Sequence, residues 1–386
     1  MAARVLRVGL VGVGWMGRLH SKAYSLLPFH YPDLGVEVRL VHAADPLAEH
    51  QRQATQELGY DRTGTDADAV FADPQVDVVS ICSPNFLHRQ HALGAAAAGK
   101  PFWIEKPMGR GLAESEQIAQ AAQAAQLVTA VGFSYRNVPL LEHLRTAIGE
   151  GRLGRITNVN VEFMADYSAD PRGARTWRFE RDKAGSGVLG DLMSHAADLA
   201  EYLVGPIASV TGLTQTVVTE RPAPVAGASH FATGDGPSAL LPVENEDHAA
   251  FLAQFSGGAV GIMEASRVAL GRRADYRVRV AGTHGSAQWT FSRMNELTWT
   301  AATEAGLGGT RIEAGPSHGE FSRFQPGAGI SMGFDDLKTI EAARFVTSVL
   351  TGRQHGASVE DGVRAAGIVQ AVERSAEQQA WLPTPQ

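Results

Sequence analysis

Asp191 and His195 stand four residues apart in the run GSGVLGDLMSHAAD, residues 185–198. At that spacing on a helix the two side chains face the same way and can converge on one bound molecule. A histidine near its unperturbed pKa is suited to take the proton of an alcohol while a hydride leaves the same carbon. A satisfied core histidine or a metal ligand would fit the same residue, although the metal alternative needs a third ligand that the sequence does not show. Just upstream, Trp177 and Arg178 offer an aromatic face and a charged donor, which suit the wall of a polyol pocket.

Three further positions come directly after short apolar runs. Lys106, in Glu105-Lys106-Pro107, comes after Phe102–Ile104 and could touch both a nicotinamide ribose and a substrate hydroxyl. Pro107 restricts the backbone there and can form a cis peptide. A solvated surface lysine is the plain alternative. Asp45 closes Val38–Ala44, where a carboxylate can accept from both ribose hydroxyls of an adenosine and repel a 2′-phosphate, favouring NAD over NADP. It can equally cap the helix after Pro46. Ser83-Pro84-Asn85, with His88 in the next helix, comes after Val76–Cys82 and could contact the adenosine half of a cofactor, or simply turn the chain.

The elements that must position these groups begin with VLRVGLVGVGWMG, residues 5–17. Gly12-x-Gly14-x-x-Gly17 directly follows an apolar strand pattern. Gly12 suits a tight turn, Gly14 lets backbone approach a pyrophosphate, Gly17 allows helix-to-strand packing, and the helix Met16–Leu27 would aim its N–H groups at the phosphates. Gly17 and Asp45 are further apart than the usual ~20 residues, which an insertion at Phe29–Gly35 accounts for if the helix ends near Leu27. Strands at Val5–Val11, Val38–Ala44, Val76–Cys82, Phe102–Ile104 and Val128–Val131 alternate with helices at Pro46–Leu58, His88–Ala98 and Glu114–Ala125. Repeated units of this kind imply a doubly wound parallel sheet.

Beyond Gly132 the pattern changes to strands with few helices between them: Ile156–Phe163, Val210–Val218, Ala249–Phe255, Ala259–Ala265, Tyr276–Ala281 and Ala287–Phe291. Gly257-Gly258 reads as a hairpin turn. This predicts an α+β domain with a large open, mostly antiparallel sheet, one face covered by helices Val188–Leu203, Asp335–Leu350 and Glu360–Gln379. Pro222–Pro242 and Gly306–Gly329 read as long loops. The predicted domains are 1–131 for cofactor and 132–386 for substrate and oligomerisation.

With 386 residues and a net charge of −7, the chain has room for about two to three domains and lacks the basic balance of a broad nucleic-acid surface. No apolar stretch spans a bilayer, so no membrane partner is expected. The single cysteine, Cys82, cannot form an internal disulfide. Arg7 interrupts the apolar run near the N-terminus and the residues beyond it belong to the glycine turn, so a cytoplasmic location is expected.

Taken in order, GVGWMG, AADP, SPNFLH, AGKPFWIEKP, VGFSYR, WRF and GSGVLGDLMSHAAD resemble the Gfo/Idh/MocA family of glucose-fructose oxidoreductase, inositol dehydrogenase and rhizopine-catabolism proteins. The resemblance implies a Rossmann domain followed by an open-sheet domain, and homodimers or homotetramers formed through that sheet. It implies that His195 is the general base or acid, that Lys106 orients and polarises the reacting hydroxyl, and that Asp191 binds substrate. It also implies that Gly12, Gly14, Trp15, Met16, Asp45, Ser83, Asn85, His88, Glu105 and Lys106 line NAD. Tyr135, Arg136, Tyr167 and Arg178 would join Lys106, Asp191 and His195 around the substrate. The implied reaction is oxidation of a secondary hydroxyl of a cyclic sugar, anhydrosugar or cyclitol, with no metal. An NADPH-linked reductase, a redox-neutral glycoside-cleaving enzyme and a non-catalytic ligand-binding regulator remain alternatives. Phe334 departs from the tyrosine of similar sugar dehydrogenases, which removes a hydroxyl contact there.

Overall fold

The computed structural model describes residues 4–224, 239–303 and 306–385. The chain forms two compact units, Met1–Val138 with Glu320–Val363, and Pro139–Gly319 with Arg364–Gln386. A single cut after residue 131 does not describe this division, because the segment 320–363 returns to the first unit. Its helix Phe334–Thr351 packs on the helix Trp15–His30 and places Phe345 and Val346 in one apolar cluster with Tyr24 and Leu27. The expected helix Asp335–Leu350 therefore covers the first unit's core rather than the second unit's sheet.

The first unit holds the doubly wound parallel sheet. Its strands are β1 (Arg4–Val11), β2 (Val36–Ala44), β3 (Arg62–Gly64), β4 (Val78–Ile81), β5 (Phe102–Ile104) and β6 (Thr129–Val131), in the order 3-2-1-4-5-6. Both faces are covered by helices, so the central strands are mostly apolar; β4 is buried at every residue, including Ser80. The helix after β1 runs to His30 rather than ending near Leu27. Pro28 lies in its last full turn, which Tyr31 N–H closes on the Leu27 carbonyl at 2.8 Å. The expected helix Pro46–Leu58 is a short helix, Ala48–Gln53, that widens into a π turn at Ala54–Leu58. The structure adds β3 and the helix Ala67–Ala72, both too short to leave a periodic signal.

In the second unit, β7 (Ile156–Met164), β8 (Ile207–Gln215), β11 (His248–Phe255), β12 (Val260–Ser266), β13 (Asp275–Gly282), β14 (Gly285–Thr290), β15 (Glu296–Thr303), β16 (Gly306–Glu313) and β17 (Leu382–Pro383) form one nine-stranded sheet. Its order is 16-15-14-13-7-12-11-8-17, antiparallel except where β7 meets β12. Alternation sets the faces: in β11, Ala249, Phe251, Ala253 and Phe255 are buried while Leu252 points outward. The helix Ser194–Val204 packs against β7 and β12 and so lies over the buried face. The strand Gly306–Glu313 replaces the first part of the loop expected over Gly306–Gly329. Of the loop expected over Pro222–Pro242, the two ends pair as β9 (Glu220–Pro222) and β10 (Leu240–Pro242), and residues 225–238 lie outside the described residues.

Candidate active site

The parallel sheet brings Gly12, Asp45, Ser83, Glu105, Lys106 and Tyr135 to one edge, because each follows the carboxyl end of β1, β2, β4, β5 or β6. Ligands bind in the crevice outside those ends in open sheets of this type. Gly12 has φ +92° and a Cβ there would lie 2.7 Å from the Cys82 carbonyl, so only glycine fits. At Gly17 a Cβ would lie 2.0 Å from the Gly12 carbonyl oxygen. Gly14 is different: among the described residues nothing lies within 4 Å of the space a Cβ would occupy. Gly14 is also the N-cap of the helix Trp15–His30, and having no side chain it makes no cap bond to the first-turn N–H groups. Open space above uncapped amides is the cradle that a pyrophosphate requires.

The carboxylate of Asp45 ties this turn to β2. Its Oδ2 accepts from Val13 N–H at 2.8 Å and its Oδ1 from Leu47 N–H at 2.9 Å, and His50 Nδ1 lies 3.0 Å from Oδ1. The helix-start role and the cofactor role are thus compatible, since a carboxylate has about four acceptor directions and the two backbone bonds use two. Ser83 Oγ lies 2.9 Å from His91 Nδ1, and Asn85 is the first residue of the helix Asn85–Ala97. Trp15 is 70% exposed at the helix start, beside Met16, and its ring lies 6.2 Å from that of Phe334.

Two residues expected to line the cofactor turn away into the unit. His88 places Nε2 2.7 Å from the Ser83 carbonyl and Nδ1 2.9 Å from the Pro107 carbonyl, and so joins the loop after β4 to the turn that carries Lys106. A neutral ring can donate to only one of these. Burial pushes His88 down, against the pull of the two carbonyls. Glu105 is buried and accepts from His20 Nε2 at 3.0 Å, from Lys338 Nζ, and from the Lys106 N–H at 3.3 Å. The peptide between Lys106 and Pro107 is cis. Tyr135 and Arg136 lie in the 3-10 turn Ser134–Asn137, with Arg136 Nη2 held 3.1 Å from Asp361 Oδ1.

The second unit carries the other candidates. Asp191 lies in a π turn, Leu189–Met193, that leads into the helix Ser194–Val204 bearing His195. Such wide turns are frequent at functional sites. Glu246 builds it: one oxygen accepts from Gly187 N–H at 2.7 Å and Leu189 N–H at 2.9 Å. Tyr167 donates its hydroxyl to Asp191 Oδ2. Burial, then the Asp191 charge, pushes the Tyr167 phenol well above its usual range, so it stays a donor. His195 is buried, packs beside Phe163 with ring centroids 6.0 Å apart, and has its carbonyl held by the Tyr276 hydroxyl at 2.9 Å. Arg178 lies over the Trp177 ring at 4.4 Å.

Comparison with known proteins bears on what these groups serve. Residues 6–133 match the model of the oxidoreductase family with an NAD-binding Rossmann fold (GFO_IDH_MocA), and residues 141–288 match the GFO/IDH/MocA C-terminal domain. The chain is 36% identical over 388 residues to levoglucosan dehydrogenase of Pseudarthrobacter phenanthrenivorans, covering 99% of this chain and 98% of that one. The chain belongs to the Gfo/Idh/MocA family. Among solved structures of the family, levoglucosan dehydrogenase in complex with NADH and levoglucosan superposes with a TM-score of 0.92 at 33% identity, covering 99% of this chain and 100% of that one. An inositol dehydrogenase homologue from Azotobacter vinelandii, complexed with NADH and myo-inositol, gives 0.81 at 25% identity over 99% and 98%. As a Gfo/Idh/MocA protein, the chain is an NAD-binding oxidoreductase.

Lys338, Glu341, His20 and Glu246 were not singled out in the sequence. Lys338 and Glu341 belong to a helix that sequence order assigns to the second unit. A charged pair three apart reads as a solvated helix face, and only burial gives it meaning.

Proposed function

We propose that the chain oxidises a secondary hydroxyl of a cyclic sugar or anhydrosugar to a ketone, with levoglucosan as the first candidate substrate. The observation that carries this is the end-to-end similarity to levoglucosan dehydrogenase, together with Lys106 at a strand end and Asp191 and His195 at the start of one helix. NAD, when bound, supplies the acceptor for the hydrogen lost from carbon. Gly12, Gly14, Trp15, Met16, Asp45, Ser83 and Asn85 would hold it, with His88 and Glu105 shaping that bed from beneath.

His195 takes the hydroxyl proton. Lys106 stabilises the developing alkoxide by its charge, and Asp191, steadied by Tyr167, orients the hydroxyl group. Tyr167 and Arg178 would meet the sugar directly. Tyr135 and Arg136, the latter paired with Asp361, would support the wall. His195→Ala and Lys106→Ala are each expected to lower kcat for levoglucosan by about 10²–10⁴-fold, followed as NADH formation. Near-normal kcat in both variants would overturn the mechanism.

The same reading makes the protein a homodimer or homotetramer acting in the cytoplasm. Its support is the exposed stripe Leu213, Leu252, Val260 and Ile262 on the outward face of β8, β11 and β12. Light scattering behind a sizing column reads the mass. A monomer at micromolar concentration refutes the assembly.

A further inference from the structure

Beneath Lys106 lies a closed set of ionic side chains that no step of the proposed chemistry uses. Lys338 is completely buried on the helix Phe334–Thr351. Its ammonium meets Glu105, lies 3.4 Å from Glu341 Oε1 and stands over the Trp103 ring at 5.2 Å. Trp103 Nε1 donates to Glu341 Oε1 at 2.6 Å, and Asn137 Nδ2 lies 3.4 Å from Glu341 Oε2. On the opposite side His20 stacks on Trp103, with ring centroids 3.4 Å apart, and reaches Glu105 at 3.0 Å and Ser80 Oγ at 3.1 Å.

The Glu105 carboxylate is held tightly. A Cβ on Gly132 would lie 2.7 Å from both Glu105 oxygens, so the carboxylate packs directly on that backbone. The same carboxylate accepts the N–H of Lys106 at 3.3 Å. The chain of contacts therefore runs from Lys338 to the Glu105 carboxylate and on to the backbone of Lys106. Among the described residues the polar and titratable groups facing it include His20 and Tyr24 from the first helix, Ser80 and Cys82 from the β4 region, His88 from the helix Asn85–Ala97, Ser134 and Asn137 from the turn after β6, and Glu341 from Lys338's own helix.

We propose that Lys338 is a positioning residue for the reaction: its buried ammonium anchors the Glu105 carboxylate against Gly132, and that carboxylate fixes the turn from which Lys106 works. The inference rests on Lys106 acting on the substrate. Burial pushes Glu105 up, but the Lys338 charge, with His20, outweighs it and keeps the carboxyl well below its usual range. Burial likewise pushes Lys338 down, and the two carboxylates hold it up. Removing the ammonium strands a buried carboxylate, which must then take a proton or move toward water. Protonation weakens the acceptor that holds the Lys106 N–H and loosens that turn, and ionisation at higher pH restores the acceptor, with His20 as its remaining side-chain partner.

The test compares Lys338→Met, Lys338→Arg and the double variant Glu105→Gln/Lys338→Met with the unaltered protein. NADH affinity is read by fluorescence titration without sugar. Values of kcat and KM for levoglucosan are read against pH. The rate at which acetic anhydride acetylates Lys106 is read by peptide mass spectrometry against pH. In Lys338→Met, kcat at neutral pH falls about 10–100-fold through displacement of Lys106, while NADH affinity changes little. Its kcat then recovers as pH rises and Glu105 ionises, an ionisation the unaltered enzyme lacks in that range, and Lys106 acetylation shifts in parallel. Lys338→Arg restores most of kcat. The double variant, extended by Glu341→Gln to remove the other carboxylate that faces Lys338, loses the extra ionisation without regaining kcat.

Unaltered kcat, pH profile and Lys106 acetylation in Lys338→Met would overturn the proposal, as would persistence of the extra ionisation once Glu105 and Glu341 are both replaced by Gln. If Lys338→Met does not fold, the variant Glu105→Gln/Lys338→Met/Glu341→Gln, which leaves neither carboxylate without its counter-charge, carries the test, and unaltered kcat there refutes it. Normal turnover by Lys106→Ala would instead sink the catalytic role of Lys106, while the acetylation measurement would still report whether Lys338 governs the turn.

Discussion

Two glycines of one turn are expected to respond to the same added methyl group with opposite effects. Gly14 has φ −67° and ψ −167°, which alanine adopts, and the space for its Cβ is open. Gly14→Ala should therefore stabilise the fold by about 0.4–1 kcal/mol through the unfolded chain. The methyl group would stand where a pyrophosphate must approach, at a cost resembling overpacking of about 1–3 kcal/mol, or roughly 5–150-fold in NADH affinity. In Gly17→Ala the new carbon meets the Gly12 carbonyl oxygen at 2.0 Å, and backbone cannot step aside. That costs stability, about 1–3 kcal/mol or more. For a unit of this size about 2–4 °C in Tm accompanies each kcal/mol, so Gly17→Ala should melt several degrees lower. Thermal unfolding without ligand and fluorescence titration with NADH separate the two effects. A Gly14→Ala protein that melts normally and binds NADH as tightly as the unaltered one would refute the assignment of that space to the dinucleotide.

Asp45→Asn keeps one acceptor but sets an NH₂ group against either Val13 N–H or Leu47 N–H. Losing one buried charge-assisted bond, about 1.5–3 kcal/mol, should raise the KM for NAD roughly 10–100-fold with little change in kcat. In the unaltered protein, kcat/KM should favour NAD over NADP, and Asp45→Ser should narrow that preference; a native preference for NADP contradicts the role of Asp45. Acid sensitivity is expected from His20 and His91, both pushed down to about 4 by burial. Because they protonate more readily in the unfolded chain, near 6.5, their stabilising effect is intact above that pH and is lost as pH falls toward 4, at about 3 kcal/mol each. The urea midpoint should be level above pH 6.5 and decline below it; a level midpoint down to pH 4.5 argues against the burial of these rings as neutral groups.

Local order in the sequence determined the parallel sheet, the glycine turn and the strand ends that carry Asp45, Ser83 and Lys106. Each of these is a contiguous pattern: β-branched runs that can be buried on both faces, with small or polar residues where the strand must stop. The spacing of Asp191 and His195 was readable for the same reason, although the sequence showed a plain helix where the structure has Asp191 in a π turn ahead of the helix that bears His195. The limits of that reading appear wherever distant segments meet. Nothing near Phe334 announces that its helix leaves the order of the chain to cover the first unit, since an apolar helix face does not name its partner. The meanings of Lys338 and Glu341 depend on that docking, because a charge acquires an energetic role only when burial removes water and supplies a counter-charge. The same holds for Glu246, whose carboxylate shapes the Asp191 turn from 57 residues away in sequence. Sequence alone determined which groups stand ready for chemistry; tertiary structure decided which buried charges hold them there.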